Sequence, residues 1–295
     1  MARKTLKWLL SVASARLGLT GTRIFDIEDL ITCSRDANQA AIRKLCAGVY
    51  LGDDTVLCRV LGRYKLFADT RDVGLSSHLM LDGYWEMWLT ELMMRTIKPG
   101  MVVADVGANL GYFTLLMADL VGPRGRVHAF EPNLPINRRL RRSVDVNGFA
   151  DRVIVHDSPL GSEAGRLVTM QVPANEPKNA HVGPARYDGI VQDTYRMDQM
   201  PQLLDVDVLK IDTEGAERDV WDGMAGILAN RSKPLTIFLE FASVRYPTPD
   251  LFIDEMIAQG FSIGELTMAL GVLPRTKEEI LAAPDNVDQM LVLKR

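Results

Sequence analysis

Four short apolar runs in this chain each stop at an acid. Met101 to Ala104 stops at Asp105, Arg126 to Phe130 at Glu131, Val206 to Ile211 at Asp212, and Leu235 to Leu239 at Glu240. Asp212 is followed at once by Glu214 and Glu217, with Lys210 just before it. Read as buried parallel strands, these runs bring their acids together, because functional groups collect outside the carboxyl ends of such strands. A carboxylate there accepts hydrogens from ligand hydroxyls, pairs with a cation, or takes the proton of a reacting hydroxyl. Two or three of them clustered are also enough to hold Mg²⁺. His181 is a further candidate base. It lies in Pro173 to Gly189, a stretch rich in Pro, Asn and Gly with little apolar periodicity, which reads as a lid over a site or as a solvated loop.

The element that positions the first acid is the most informative. After Asp105, Gly107, Asn109 and Gly111 punctuate a tight turn, and from Tyr112 the apolar spacing turns helical through Phe113, Leu116, Met117 and Leu120. Strand, glycine-rich turn and helix in succession build a small-molecule cradle, with free N–H groups at the helix start. A dinucleotide fingerprint needs glycines at the first, third and sixth positions, and here those hold Gly107, Asn109 and Tyr112. No Gly-Lys-Ser/Thr follows, so the turn is no phosphate-binding loop either. An acid beside it suits a ligand that is cationic or rich in hydroxyls, and S-adenosylmethionine is both. Glu131, 24 residues past Gly107, ends the second strand, where a carboxylate accepts both hydroxyl hydrogens of a ribose.

The segment Asp105-Val106-Gly107-Ala108-Asn109-Leu110-Gly111, with Tyr112-Phe113-Thr114 after it, resembles the first motif of class I S-adenosylmethionine-dependent methyltransferases, in particular the FkbM type. Lys210-Ile211-Asp212-Thr213-Glu214-Gly215-Ala216-Glu217 resembles that family's second signature, in the expected order. The resemblance covers Gly83 to Arg295. It implies an α/β fold, a Rossmann-like doubly wound sheet of seven mostly parallel strands with helices on both faces. It implies a methyltransferase domain over 83–295, preceded by an extension over 1–82. For the cofactor it implies Asp105, Gly107, Asn109, Gly111, Tyr112, Phe113, Thr114, Glu131, Asn133, Asp157 near the adenine, and Asp212 facing the methyl group or the ammonium. Gly83 to Glu86 would lie near the methionine end. The activity implied is O-methylation of a small molecule of sugar or natural-product type. Asp212, Glu214 and His181 are the catalytic candidates.

Composition narrows the alternatives. The chain has 295 residues, 47% of them hydrophobic, a net charge of −4 and a pI near 5.7. Nothing basic calls for nucleic acid as a partner. The run Arg138, Arg139, Arg141 and Arg142 reads as a solvated helix face, with an anionic-substrate patch as the alternative. Cys33, Cys46 and Cys58 have no paired spacing and read as reduced thiols of a cytoplasmic protein. No run reaches the roughly 20 apolar residues of a membrane span.

The extension carries no motif. Leu6, Leu9, Leu10, Ala13 and Leu17 share one helical face, which reads as an amphipathic helix packing on the body or a partner, with a membrane-surface helix or a signal peptide as alternatives. Asn38 to Ala47 reads as a short helix and Val49 to Asp72 as two or three short strands. This appendage would serve packing or homo-oligomerisation, or would roof the substrate site. Val73 to Met80 reads as a connector, and Tyr84 to Ile97 as a helix closed by Lys98-Pro99-Gly100. Two other classes of function stay open on sequence: a nucleotide-dependent oxidoreductase, against which the broken glycine pattern argues, and a ligand-binding scaffold without catalysis.

Overall fold

The computed structural model describes residues 25–171, 181–184, 190–285 and 287–295. The expected amphipathic helix before residue 25, and most of the expected lid at 173–189, lie outside these residues.

The extension opens with two helices, α1 (Asp29–Thr32) and α2 (Arg35–Leu45), and an antiparallel meander of β1 (Gly48–Gly52), β2 (Thr55–Val60) and β3 (Tyr64–Asp69). Helix α2 starts earlier than its apolar spacing predicts because the Ser34 side chain accepts a hydrogen bond from the Ala37 N–H and caps it. The expected connector at Val73 to Met80 is a helix, α3 (Leu75–Leu81). The Asp72 carboxylate accepts from the N–H groups of Gly74, Leu75 and Ser76 and so nucleates a turn too short to show periodicity. Helix α4 (Met87–Thr96) follows.

The body alternates strand and helix: β4 (Val102–Val106), α5 (Tyr112–Val121), β5 (Arg126–Phe130), α6 (Leu134–Val146) and β6 (Val153–His156). Three short strands, β7 (Leu167–Gln171), β8 (His181–Pro184) and β9 (Ile190–Asp193), form a small antiparallel sheet of order β8-β7-β9. Residues 181–184, expected within a loop, therefore lie in a strand. The rest is β10 (Val208–Ile211), α7 (Glu217–Asp222), α8 (Ala225–Ala229), β11 (Thr236–Phe241), α9 (Pro249–Ala258), β12 (Ser262–Thr267), β13 (Gly271–Pro274), α10 (Lys277–Leu281) and β14 (Gln289–Lys294).

The main sheet runs β13-β12-β14-β11-β10-β4-β5-β6. From β11 to β6 neighbouring strands are parallel, while β14 lies antiparallel to both β11 and β12. The fold class is the doubly wound α/β sheet that the motifs imply, with eight strands among the described residues instead of seven. The additional strand is β13, paired antiparallel to β12. Gly271, at φ +76°, turns the chain, and the Thr267 hydroxyl bridges the turn to the Gly271 carbonyl and the Leu270 N–H. Four residues at a sheet edge are too few to be read from alternation.

Burial explains the local choices. Strand β4 is buried along nearly its whole length, with Asp105 its one polar residue, because helices cover both faces of a parallel sheet. Helix α5 is apolar on nearly every side and nearly every residue is buried, as a central helix must be. Helix α6 is amphipathic: Ile136, Leu140 and Val144 face the core, while Arg138, Arg141 and Arg142 are exposed. Arg139 departs from the solvated face expected of this run, since its guanidinium lies 3.3 Å from the buried Asp69 at the end of β3. Strand β3 is fastened to α6 at two further points: the Phe67 N–H donates to Ser143 Oγ, and Asn147 exchanges two hydrogen bonds with the Lys65 backbone. The Arg142 guanidinium covers the Phe67 ring at 4.0 Å. Apolar residues of the extension, including Leu30, Ile42 and Leu66, join Leu115, Leu116 and Val127 in one core cluster.

Candidate active site

At the carboxyl end of β4 the chain turns in a space that admits no side chain. Gly107 has φ +77°, and a Cβ placed on it would stand 1.7 Å from the Asp212 carbonyl oxygen. The glycine turn and the end of β10 therefore abut, backbone to backbone. Gly111, at φ +93°, opens α5 under the same constraint, since a Cβ there would meet the Leu140 side chain at 2.3 Å. Asn109 also takes a left-handed backbone, φ +50°, and its side-chain oxygen accepts from the Leu110 N–H.

This geometry presents the Asn109 N–H to Glu131, whose Oε2 accepts it at 2.8 Å. Oε1 accepts from the Asn133 N–H, also at 2.8 Å. Asn137, from α6, locks the same corner by donating to the carbonyls of Glu131 and His156. Glu131 is buried, and that burial pushes its pKa up to about 7 despite the two N–H donors. Each oxygen keeps acceptor capacity, so a ligand diol finds a pre-aimed carboxylate.

Asp105 lies beneath the turn, fully buried. Its Oδ2 accepts from Thr114 Oγ1 at 2.6 Å. Its Oδ1 has no hydrogen-bond partner among the described residues and sits 3.8 Å from Lys210 Nζ. Burial raises the Asp105 pKa, against the opposing pull of Lys210 and Thr114. Lys210 is one of the largest fully buried side chains, and it donates to Asp212 Oδ2 at 2.9 Å. Burial disfavours its charge, yet Asp212 and Asp105 outweigh that and raise its pKa. The Phe113 ring lies 5.5 Å from the same ammonium.

A second cation organises the opposite wall. Arg245, on the turn after β11, reaches Glu240 at 2.5 Å, Asp288 at 3.0 Å, Glu214 at 3.4 Å and Glu217 at 3.9 Å. Burial, and then the neighbouring Asp212, push the Glu240 pKa up to about 8, with Arg245 holding it down. Glu214 occupies a left-handed backbone, φ +54°. Glu217, on the first turn of α7, is fully buried. Its Oε1 accepts from the N–H groups of Thr213 and Gly215, and its Oε2 from the Tyr246 hydroxyl. It folds the strand-end loop into α7.

These walls enclose a cavity of about 670 Å³, in the range of small-molecule sites. Of the residues singled out in the sequence, Gly107, Asn109, Tyr112, Phe113, Glu131, Asn133, Asp212 and Glu214 line it. Asp105, Gly111 and Thr114 support it from behind. Asp157 is exposed and off the wall, and the adjacent Ser158, Pro159 and Leu160 take the lining position beyond β6. His181 is placed by its backbone opposite Gln171 in the small sheet. The acids put forward for Mg²⁺ are committed to Lys210 and Arg245, and among the described residues no three His, Cys, Asp or Glu side chains form a metal-holding group.

The sequence reading missed Arg245, Asp288 and the β12–β13 wall with Thr267 and Met268, all of which line the cavity. No local signal marks them: Arg245 enters from the turn after β11, and Asp288, Thr267 and Met268 come in from the antiparallel end of the sheet.

Residues 105–263 match the family model of the methyltransferase FkbM domain. The chain is 38% identical over 66 residues to a protein-L-isoaspartate O-methyltransferase of Hyperthermus butylicus, and 45% identical over 64 residues to the AMB antimetabolite synthetase AmbE of Pseudomonas aeruginosa. These matches cover 20% and 21% of this chain but only 27% and 3% of those relatives. Among solved structures, the chain is similar to a methyltransferase FkbM from Methylobacillus flagellatus KT, with 17% identity and a TM-score of 0.44, over 73% of this chain and 52% of that one. The family match extends over more than half of the chain, and the protein belongs to the FkbM family of S-adenosylmethionine-dependent methyltransferases.

Proposed function

We propose that this chain transfers the methyl group of S-adenosylmethionine to a hydroxyl of a small molecule of sugar or natural-product type. The observation that carries the reading is Glu131, a buried carboxylate at the carboxyl end of β5, aimed into the cavity by the N–H groups of Asn109 and Asn133. Its remaining acceptor capacity fits a ribose diol, and the cavity offers no phosphate-binding lysine loop or glycine fingerprint for a dinucleotide.

When bound, the cofactor supplies an electrophilic methyl on a sulfonium. What the protein adds is position and proton management. Glu131 fixes the ribose. Gly107 lets the turn close on the end of β10, so that Asp212 borders the cavity beside the cofactor turn. A hydroxyl acceptor loses its proton as it reacts, and Asp212, Glu214 and Glu240 are the carboxylates on the wall available to receive it, with His181 as a further candidate. Lys210 donates to Asp212 Oδ2 and orients it.

Calorimetric titration with S-adenosylmethionine, S-adenosylhomocysteine and NADH tests the reading. Binding of the first two, weakened at least tenfold in Glu131→Ala, is expected, because truncation removes the two ribose acceptors. Binding of NADH alone overturns it. With binding established, Asp212→Asn is expected to lower turnover of an accepted hydroxyl substrate more than it lowers cofactor affinity, and full activity in that variant removes Asp212 from the chemistry.

A further inference from the structure

The meander of the extension has two edges, and only one of them is closed among the described residues. Strand β3 is closed by α6, through the hydrogen bonds of Phe67 with Ser143 and of Lys65 with Asn147. Strand β1 pairs with β2 alone. It is open to solvent on both faces: Val49 is 63% exposed, Tyr50 62% and Leu51 49%. An edge strand left in water is normally blunted by a lysine, a proline or an inward-pointing charge. Strand β1 holds none of these, and three of its five residues are large and apolar. A register shift between Tyr50 and Gly52 lies at its turn end, beyond the regular pairs of Gly48, Val49 and Tyr50 with Cys58, Leu57 and Val56.

The direction of its backbone groups sets what this edge can accept. The Ala47 carbonyl points at β2, where it accepts from the Arg59 N–H at 2.8 Å. By alternation Val49 also points its N–H and C=O at β2, while Gly48 and Tyr50 point theirs outward. A second β1 laid antiparallel about a two-fold axis at Val49 satisfies these outward groups, because Gly48 of each copy then exchanges both hydrogen bonds with Tyr50 of the other. The side chains agree with that register. Val49 meets Val49 across the axis. Since Leu57 neighbours it on β2 and Phe67 follows on β3, the row Phe67-Leu57-Val49 continues into its own copy as one apolar band. Each Tyr50 ring lies over Gly48 of the other copy, where no side chain competes for the space. The charges agree as well. Reversing the strand brings the exposed Asp53–Asp54 turn of each copy to the end where the other exposes Lys44 and Arg59.

We propose that β1 is a homodimer interface, pairing antiparallel with β1 of a second copy about a two-fold axis at Val49 and joining the two meanders into one continuous sheet. The occupant is a second copy because the edge complements itself in hydrogen bonds, in its apolar row and in charge. The test is sedimentation velocity of the full chain, with a dissociation constant of about 1–100 µM expected for so short a contact. Val49→Lys sets two ammonium groups opposite each other and is expected to weaken the dimer at least ~10-fold. Because the position is exposed, thermal unfolding of that variant should stay within about 2 °C of wild type. Oxidation reads the register. Val49→Cys brings two thiols together across Cα atoms about 4.5 Å apart, within disulfide reach, and should give a covalent dimer well above any background from Cys33, Cys46 and Cys58. Tyr50→Cys, offset from its own copy, should not. A monomer at every concentration overturns the proposal, whether β1 then stays open or residues 1–24 cover it. A dimer that Val49→Lys leaves intact, or one that cross-links no better at Val49 than at Tyr50, overturns it too.

Discussion

Gly107→Ala tests the close approach on which the site depends. The added Cβ would stand 1.7 Å from the Asp212 carbonyl oxygen and 2.9 Å from its carbonyl carbon, so backbone must move, with no flexible side chain to yield. The position also has φ +77°, which costs an alanine about 1–2 kcal/mol. Forcing the two backbones apart adds about 1–3 kcal/mol or more, as overpacking does. The sum, roughly 2–5 kcal/mol, is a large fraction of the 5–15 kcal/mol that holds a typical domain together. At roughly 2–4 °C per kcal/mol for a chain of this order, the melting temperature should fall by about 4–20 °C. Gly148→Ala is the control, since Gly148 has a similar φ of +71° but nothing within 4 Å of its missing Cβ. It carries the backbone strain alone and should lose only a few degrees. The assay is thermal unfolding of both variants, followed by S-adenosylmethionine titration at a temperature where both are folded. If Gly107→Ala melts with Gly148→Ala and binds the cofactor as wild type does, the contact between turn and β10 is not what shapes the site.

Three further outcomes are expected. Burial pushes Glu131 up to about 7, and its ionised form accepts the ribose hydroxyls, so S-adenosylmethionine should bind more tightly as pH rises from 6 to 8, a dependence that calorimetry should find flattened in Glu131→Gln. For the unliganded fold the sign is opposite: a raised carboxyl contributes fully below its ordinary 4.5 and loses that contribution as pH rises through about 7. Burial and the stacked His156 hold His128 down at about 4, so its contribution to stability is present above 6.5 and lost as pH falls toward 4; urea unfolding at pH 7 and 5 should show this slope, reduced in His128→Gln. Lys210→Met leaves Asp105 and Asp212 without their shared ammonium and should cost about 3–5 kcal/mol by urea unfolding, as breaking a buried pair does; a change below about 1 kcal/mol would mean that Asp105 is protonated with or without the lysine.

What the sequence determined by itself is local and periodic. Apolar runs ending in Asp105, Glu131 and Asp212 set parallel strands, because a strand covered on both faces has no polar alternation to obscure it. The glycine turn was legible because left-handed backbone and close approach leave few residue choices. Helix α6 was legible as a helix with a basic, solvated face, although not the role of Arg139. What only the tertiary structure decided concerns partners distant in sequence. Whether Asp212 and Glu240 stand free or paired depends on Lys210 and Arg245, and Arg245 meets Glu214 because β10 lies parallel beside β11, and Asp288 because β14 returns antiparallel on the other side. The exposure of Asp157, one residue from a cavity-lining serine, turns on a single step of backbone direction after β6. The left-handed backbone of Glu86, at the head of α4, is likewise invisible in Tyr-Trp-Glu-Met, because the hydrogen bonds that hold it run through Thr90 to Tyr112, on another helix. Periodicity fixes elements one at a time, whereas the charge state and aim of a side chain depend on which elements the sheet order makes neighbours.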